Sequence, residues 1–208
     1  MSVFPFFVDL EQKEGLIVGG GVTALRKLQK LLPYGPRLTV AAPDICREIE
    51  ALPSLNLLRR PFAPGLLEGK LFVIAATDQP EVNRSVAKLC RQRGILVNVV
   101  DCRPDCTFLF PALVKRGEMT VGISTGGASP SAAIWLKEQI ATLVPERMEE
   151  ILTYLEAQRS LVRALFPEEV RRGAALKALW LACLERGEPL SGEETAALLE
   201  CLKKEGLA

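Results

Sequence analysis

Chemistry needs side chains that can take a proton, hold a charge or let the backbone approach a ligand, and this chain offers a restricted set. Histidine is absent, so no Ser-His-Asp or Cys-His relay can form. Any acid–base step near neutral pH falls to a carboxylate, a lysine, a tyrosine, a thiol or water. The six cysteines are Cys46, Cys90, Cys102, Cys106, Cys183 and Cys201; none forms a C-x-x-C pair, and only Cys102 and Cys106 are close together. That spacing suits reduced, mostly buried thiols better than a disulfide framework or a zinc site, and no metal ion is expected. The acid that stands out is Asp101. It ends the apolar run ILVNVV of residues 95–100, where a parallel sheet presents groups to its ligand. A carboxylate there is a natural proton acceptor; the competing reading is a turn cap, because Pro104 follows closely.

The second constellation is a glycine turn. Gly19-Gly20-Gly21-Val22-Thr23-Ala24 fits G-x-G-x-x-A between a strand-like run, residues 15–19, and a helix-like run, residues 22–32. Each position has a physical task. Gly19 permits the tight turn, Gly21 lets the backbone approach a pyrophosphate, and Ala24 lets the helix sit near the strand. The helix N-terminus then presents N–H groups to the phosphates. Val22 and Thr23 belong to that cradle. The strand-turn-helix context that such a fingerprint requires is present.

The first half of the chain, which must hold these residues, alternates strands and helices. Strands are expected at residues 15–19, 37–42, 55–59, 70–76 and 95–100, and helices at 22–32, 44–52 and 79–93. Near-continuous apolar strands between helices predict a parallel sheet covered on both faces, an α/β fold of Rossmann type. The group that reads the adenosine ribose should follow the second strand, at Pro43-Asp44. Asp44 either accepts from the 2′-hydroxyl or caps the next helix. No arginine precedes Arg47 there, which favours NAD over NADP. Thr77 and Asp78 follow the fourth strand and line the cofactor side or cap the 79–93 helix. Asn98 reaches the nicotinamide end or bonds to nearby backbone.

Beyond Asp101 the pattern changes. Strands at 107–114 and 118–124 meet at Arg116-Gly117, and a helix starts at Ser129-Pro130 and runs to about residue 144. Gly126, Gly127 and Ser129 lead into that helix start, a suitable seat for a substrate carboxylate. Arg103, Lys115, Arg116 and Lys137 are candidate partners for acidic groups. From residue 145 only helices are expected: 147–166, 168–186 with an irregularity at Gly173, and 191–204 opened by a capping box of Ser191 and Glu194.

A net charge of +1 argues against nucleic-acid binding by bulk charge. No run approaches the about 18 apolar residues of a membrane span. Residues 1–10 carry no basic leader, and a cytoplasmic protein is expected.

Taken in order, GGGVTALRK from Gly19, Ala75-Ala76-Thr77-Asp78, Asn98-Val99-Val100-Asp101, Phe108, Pro111-Ala112 and Ser124-Thr125-Gly126-Gly127-Ala128-Ser129-Pro130 carry more than a generic nucleotide fold. This set resembles the precorrin-2 dehydrogenase/sirohydrochlorin ferrochelatase family, the dehydrogenase module of siroheme synthase. The resemblance covers residues 1–145; the helical tail matches in length and class. It implies NAD-dependent oxidation of precorrin-2, a carboxylate-rich tetrapyrrole, to sirohydrochlorin, with Asp101 at the position of the family's catalytic aspartate. In some relatives ferrous iron is a further substrate. It also implies an interleaved homodimer, and so a layout of NAD-binding domain 1–112, dimerisation segment 113–145 and helical domain 146–208. The methyltransferase module of some relatives is absent, so a chain monofunctional in that respect is expected. One departure is Thr23, where the family commonly has valine before the alanine; it stays small and β-branched and adds a hydroxyl, so cofactor binding is expected to survive.

Overall fold

The computed structural model describes residues 3–204. Five short strands form in the first half: β1 Glu14–Val18, β2 Arg37–Ala41, β3 Leu55–Leu58, β4 Phe72–Ala75 and β5 Leu96–Val99. All pair in parallel, in the order β3-β2-β1-β4-β5. The connections carry α1 Val22–Leu31, α2 Arg47–Glu50 and α3 Pro80–Gln92. This is the Rossmann-type α/β fold expected from the alternating runs.

The strands are apolar along both edges of their period because both faces are covered. Leu16, Val18, Val73, Ala75, Val97 and Val99 point to one side and pack with Val86, Ala87 and Cys90 of α3. Ile17, Leu38, Val40, Phe72 and Ile74 point to the other and meet Ala24, Leu28 and Leu31 of α1 and Ile49 of α2. Burial also explains the inert Cys90 thiol, whose pKa is pushed up to about 11 by desolvation.

The register decides where the chemistry sits. Val18 pairs with Ala41 and Ala75, and Ala75 pairs with Val99. The turns after β1, β2, β4 and β5 therefore leave the sheet at one edge. The chain moves outward from β1 to β2 and β3, then returns to β1's other side as β4. That reversal is the switch point beside which open α/β sheets bind ligands.

The chain divides into two compact units between Phe110 and Pro111. The second holds a hairpin of β6 Ala112–Arg116 and β7 Met119–Ile123, with Arg116 opposite Met119 and Gly117 in the turn. Helix α4, Pro130–Leu143, lies against both strands. Helices α5 Met148–Leu165, α6 Glu169–Arg186 and α7 Gly192–Lys204 follow and bury Val162, Phe166, Ala175, Leu179 and Leu199 together. The capping box forms: Ser191 N donates to Glu194 Oε2 at 2.8 Å, and Glu194 N donates to Ser191 Oγ at 3.3 Å. Among the described residues no helix is long and apolar enough to cross a membrane.

Three expectations need correction. The helix expected over 44–52 is a single turn, Arg47–Glu50, with Cys46 at its N-cap position. The strand expected at 107–114 starts only at Ala112. Residues 107 and 108 are instead drawn to β5, where Thr107 N donates to Val97 O at 2.8 Å and Thr107 Oγ1 accepts from Val97 N at 2.7 Å. These bonds close the open edge of β5 without a ladder, and Pro111 brings no N–H to extend one. Finally, α6 runs through Gly173 without interruption, because its Ala175, Leu179 and Cys183 are buried and packing outweighs the roughly 1 kcal/mol cost of one helical glycine.

Candidate functional site

The glycine turn divides its labour in a way its sequence only outlines. Gly19 has φ +123°, and a Cβ there would stand 2.3 Å from the Ala76 carbonyl oxygen. The turn after β1 thus presses against the turn after β4. A Cβ on Gly20 would stand 2.1 Å from the Asp44 carbonyl oxygen, while Gly20 O accepts from Cys46 N at 2.9 Å. Gly20, the position the fingerprint leaves unspecified, is therefore a close contact with the turn after β2. Gly21 is different: a Cβ there would meet nothing within 4 Å. Its freedom from a side chain is not needed by the protein's own packing.

Gly21 is also the N-cap residue of α1, and no side chain caps the helix. The first turn holds no acid. Val22 and Thr23 supply N–H groups in that first turn, beside the open space at Gly21. An uncapped helix start, a positive dipole end and bare backbone fit a pyrophosphate. The residues present thus fit a dinucleotide.

Around this cradle the predicted residues take unequal positions. Pro43 and Asp44 follow β2 at the same edge, and Asp44 is exposed. Its carboxylate does not cap α2, which goes against one of its two readings. Thr77 is engaged within its own turn. Its Oγ1 lies 2.8 Å from Asn83 Oδ1 and accepts from Gln79 N at 3.2 Å, while Asn83 Nδ2 donates to Thr77 O at 3.0 Å. Gln79, not Thr77 or Asp78, occupies the N-cap position of α3. The buried Asn83, missed by sequence reasoning, holds this turn. Its place, six residues past Thr77 on the inward face of α3, was the available signal. Asp78 is exposed beside it.

Asn98 is buried in β5 and donates to Phe108 O at 3.0 Å. Its amide anchors backbone, which is the structural of its two readings. It acts with Cys106, whose thiol accepts from Val99 N at 3.2 Å. Arg91 of α3 completes the clamp through Pro104 O at 2.6 Å and Asp105 at 3.3 Å. Cys102 donates to Asp105 Oδ2 at 3.2 Å, and that bond raises the thiol's pKa. The loop of residues 101–108 is thus tied back to β5 and α3 at several points.

Asp101 rides on this tied loop. It has φ +57°, a left-handed conformation that a non-glycine residue adopts at some cost and that aspartate tolerates better than most. Its side chain is exposed and makes no hydrogen bond or ion pair among the described residues. A strained, exposed carboxylate on a rigid loop is the arrangement that places a reactive group toward a ligand. Arg103 stands exposed in the one-turn helix Arg103–Asp105 that follows.

In the second unit, Gly126 and Gly127 have φ +61° and +82°. Thr125 Oγ1 donates to Ser129 O at 2.9 Å and accepts from Ser129 N at 3.2 Å, so the loop is internally bonded. Ser129 caps α4 by accepting from Ala132 N at 3.2 Å. Lys115 and Arg116 bond to hairpin carbonyls, Gly117 O and Lys115 O respectively; Lys137 is exposed on α4.

Residues 6–112 match NAD_binding_7, an NAD(P)-binding family. The chain belongs to that NAD(P)-binding family. The site residues of the first unit all lie inside the matched span. The chain is also similar to siroheme synthase 1 of Aeromonas hydrophila subsp. hydrophila, 37% identical over 96% of this chain and 44% of that protein. The siroheme synthase of Thioalkalivibrio sulfidiphilus is 37% identical over 95% of this chain and 41% of that one. The chain thus spans less than half the length of these curated relatives. Among solved structures it is similar to SirC, precorrin-2 dehydrogenase, with a TM-score of 0.71 and 27% identity, covering 97% of this chain and 100% of that one. As an NAD(P)-binding protein with these relatives, the chain matches the resemblance drawn from its motifs.

Proposed function

We propose that this chain oxidises precorrin-2 to sirohydrochlorin with NAD, with Asp101 as the base. The observation that carries this reading is the alignment of two different groups at one sheet edge. The bare cradle at Gly21 follows β1, and the strained Asp101 carboxylate follows β5. Similarity to SirC along the whole chain supports it.

Bound NAD supplies the hydride acceptor. The protein's residues do the rest. Gly19, Gly21, Val22 and Thr23 hold the pyrophosphate, and Asp44 accepts from a ribose hydroxyl. Pro43, Thr77 and Asp78 shape the walls, and Thr77 does so through its turn and not its hydroxyl. Asp101 takes the proton that the macrocycle releases as its hydride leaves, so charge and atoms balance. An exposed acid after β2 repels a 2′-phosphate, which favours NAD over NADP. Gly126, Gly127, Ser129 and Arg103 are the residues proposed for the substrate's carboxylates. The setting is the cytoplasm, in keeping with six cysteines outside any disulfide.

The test is an anaerobic assay with precorrin-2 and either NAD or NADP, following nicotinamide reduction and the tetrapyrrole spectrum. Coupled formation of NADH and sirohydrochlorin is expected, with NADP the poorer acceptor. Folded protein that binds nucleotide yet oxidises nothing would instead fit an NAD-sensing module. Ferrous iron added afterwards, against a no-enzyme control, tests whether iron is also a substrate.

The second unit is proposed to pair with another copy through residues 113–145, leaving 146–208 as a helical domain. Helix α4 leaves the adjacent Ile134 53% and Trp135 58% exposed, and large apolar side chains left together on a surface support an interface. Light scattering is expected to find a dimer for the unaltered chain and a monomer for Trp135→Glu. An unaltered chain that runs as a monomer at micromolar concentration would refute the pairing.

A further inference from the structure

Lys27 is one turn further along α1 than Thr23, on the same face of the helix. Its Nζ sits 4.0 Å from the centre of the Phe110 ring. Phe110 is itself paired with Phe108 at 5.5 Å, and Phe108 is tied to β5 through Asn98. The ammonium therefore rests on a fixed aromatic floor made by the segment that follows Asp101.

This cation is partly buried and lacks a carboxylate within ion-pair distance among the described residues. Its pKa is lowered, first by burial and then by Lys30; Cys106 and Asp101 oppose the shift. Helix α1 carries Arg26, Lys27 and Lys30 and no acid at all. A desolvated ammonium without a counter-ion is costly to the free protein, and a bound anion would offset that cost. The pyrophosphate cradle lies at the helix start. At 1.5 Å per residue, Lys27 is roughly 8 Å further along the axis from Val22, and its side chain lies on the side of the 108–110 segment.

We infer that Lys27 is a substrate-carboxylate anchor: it receives an acidic side chain of the tetrapyrrole on the side of the segment that follows Asp101, with Phe110 as the floor. This rests on the proposed function and names a contact within it. Anchoring one carboxylate would fix which edge of the macrocycle faces Asp101.

Lys27→Met keeps the aliphatic stem over Phe110 and removes the charge; Lys27→Arg restores a charge. KM for precorrin-2 is expected to rise about ten- to a hundredfold in Lys27→Met, the loss of one charge-assisted hydrogen bond. The dissociation constant for NAD and the thermal midpoint should stay as in the unaltered protein, and Lys27→Arg should recover most of the lost affinity. Titration with sirohydrochlorin, read by absorbance, gives a second readout that needs no turnover. Unchanged KM and unchanged sirohydrochlorin affinity in Lys27→Met would overturn the anchor while leaving the dehydrogenase reading standing. Equal weakening of NAD would make Lys27 a phosphate contact and also overturn it. An unaltered protein that neither oxidises precorrin-2 nor binds sirohydrochlorin would sink the proposed function and this anchor with it.

Discussion

Asp101→Asn is expected to lower kcat for precorrin-2 oxidation by about 10²- to 10⁴-fold, the usual contribution of a positioned general base. Asparagine is the clean replacement because it also tolerates the left-handed backbone that Asp101 adopts at φ +57°. The loop around it should keep its bonds, since Thr107, Cys106 and Arg91 hold it from elsewhere. NAD affinity and thermal stability should therefore stay near those of the unaltered protein. Asp101→Ala removes the same carboxylate but adds backbone strain of about 1 kcal/mol or more, so its loss of activity would mix two causes. Stopped-flow reduction of NAD under saturating precorrin-2 is the deciding measurement. Turnover retained in Asp101→Asn would remove Asp101 from the role of base, whatever the affinity for NAD.

The second large effect separates two glycines that share one motif. Gly19→Ala forces a Cβ to within 2.3 Å of the Ala76 carbonyl at φ +123°. Backbone must move, and both the local strain and the contact between the β1 and β4 turns are at stake. A stability loss of about 3 kcal/mol or more is expected, a large share of a typical total, together with loss of NAD binding. Gly21→Val is expected to behave otherwise. A Cβ there meets no described protein atom within 4 Å, so the thermal midpoint should change little. The same side chain stands where a pyrophosphate would lie, and the dissociation constant for NAD should rise at least about tenfold, or 1.4 kcal/mol. Thermal unfolding with and without NAD reads both quantities. If Gly21→Val binds NAD as tightly as the unaltered chain, the cradle is not where the phosphates sit.

Much of this protein was already determined by local pattern. The runs at β1, β4 and β5 are apolar along both periods, which only a sheet covered on both faces can use. Gly19 to Ala24 marks a turn between strand and helix because few other residues fit such a turn. Ser129-Pro130 and the Ser191–Glu194 pair declare helix starts, since each satisfies its own backbone within a few residues. Asp101 could be singled out as the acid at the end of a buried strand in a chain without histidine.

Tertiary structure decided what those residues are free to do. The order β3-β2-β1-β4-β5 brings the turns of β1 and β4 together, and only then does Gly19 owe its identity to Ala76 and Gly20 to Asp44. Thr77 and Asn98 have the right residue types for a cofactor wall, yet their hydrogen bonds go to Asn83 and Phe108. Asp44 became an exposed acid because the helix after it is one turn long and starts three residues later. By type Lys27 is one more basic residue of α1, and only the fold sets Phe110, 83 residues along the chain, beneath it. Side-chain partners of this kind come from distant parts of the chain, whereas propensity and periodicity are properties of neighbours. A residue's type can therefore be read from its segment, but its free hydrogen-bonding capacity depends on what the fold sets against it.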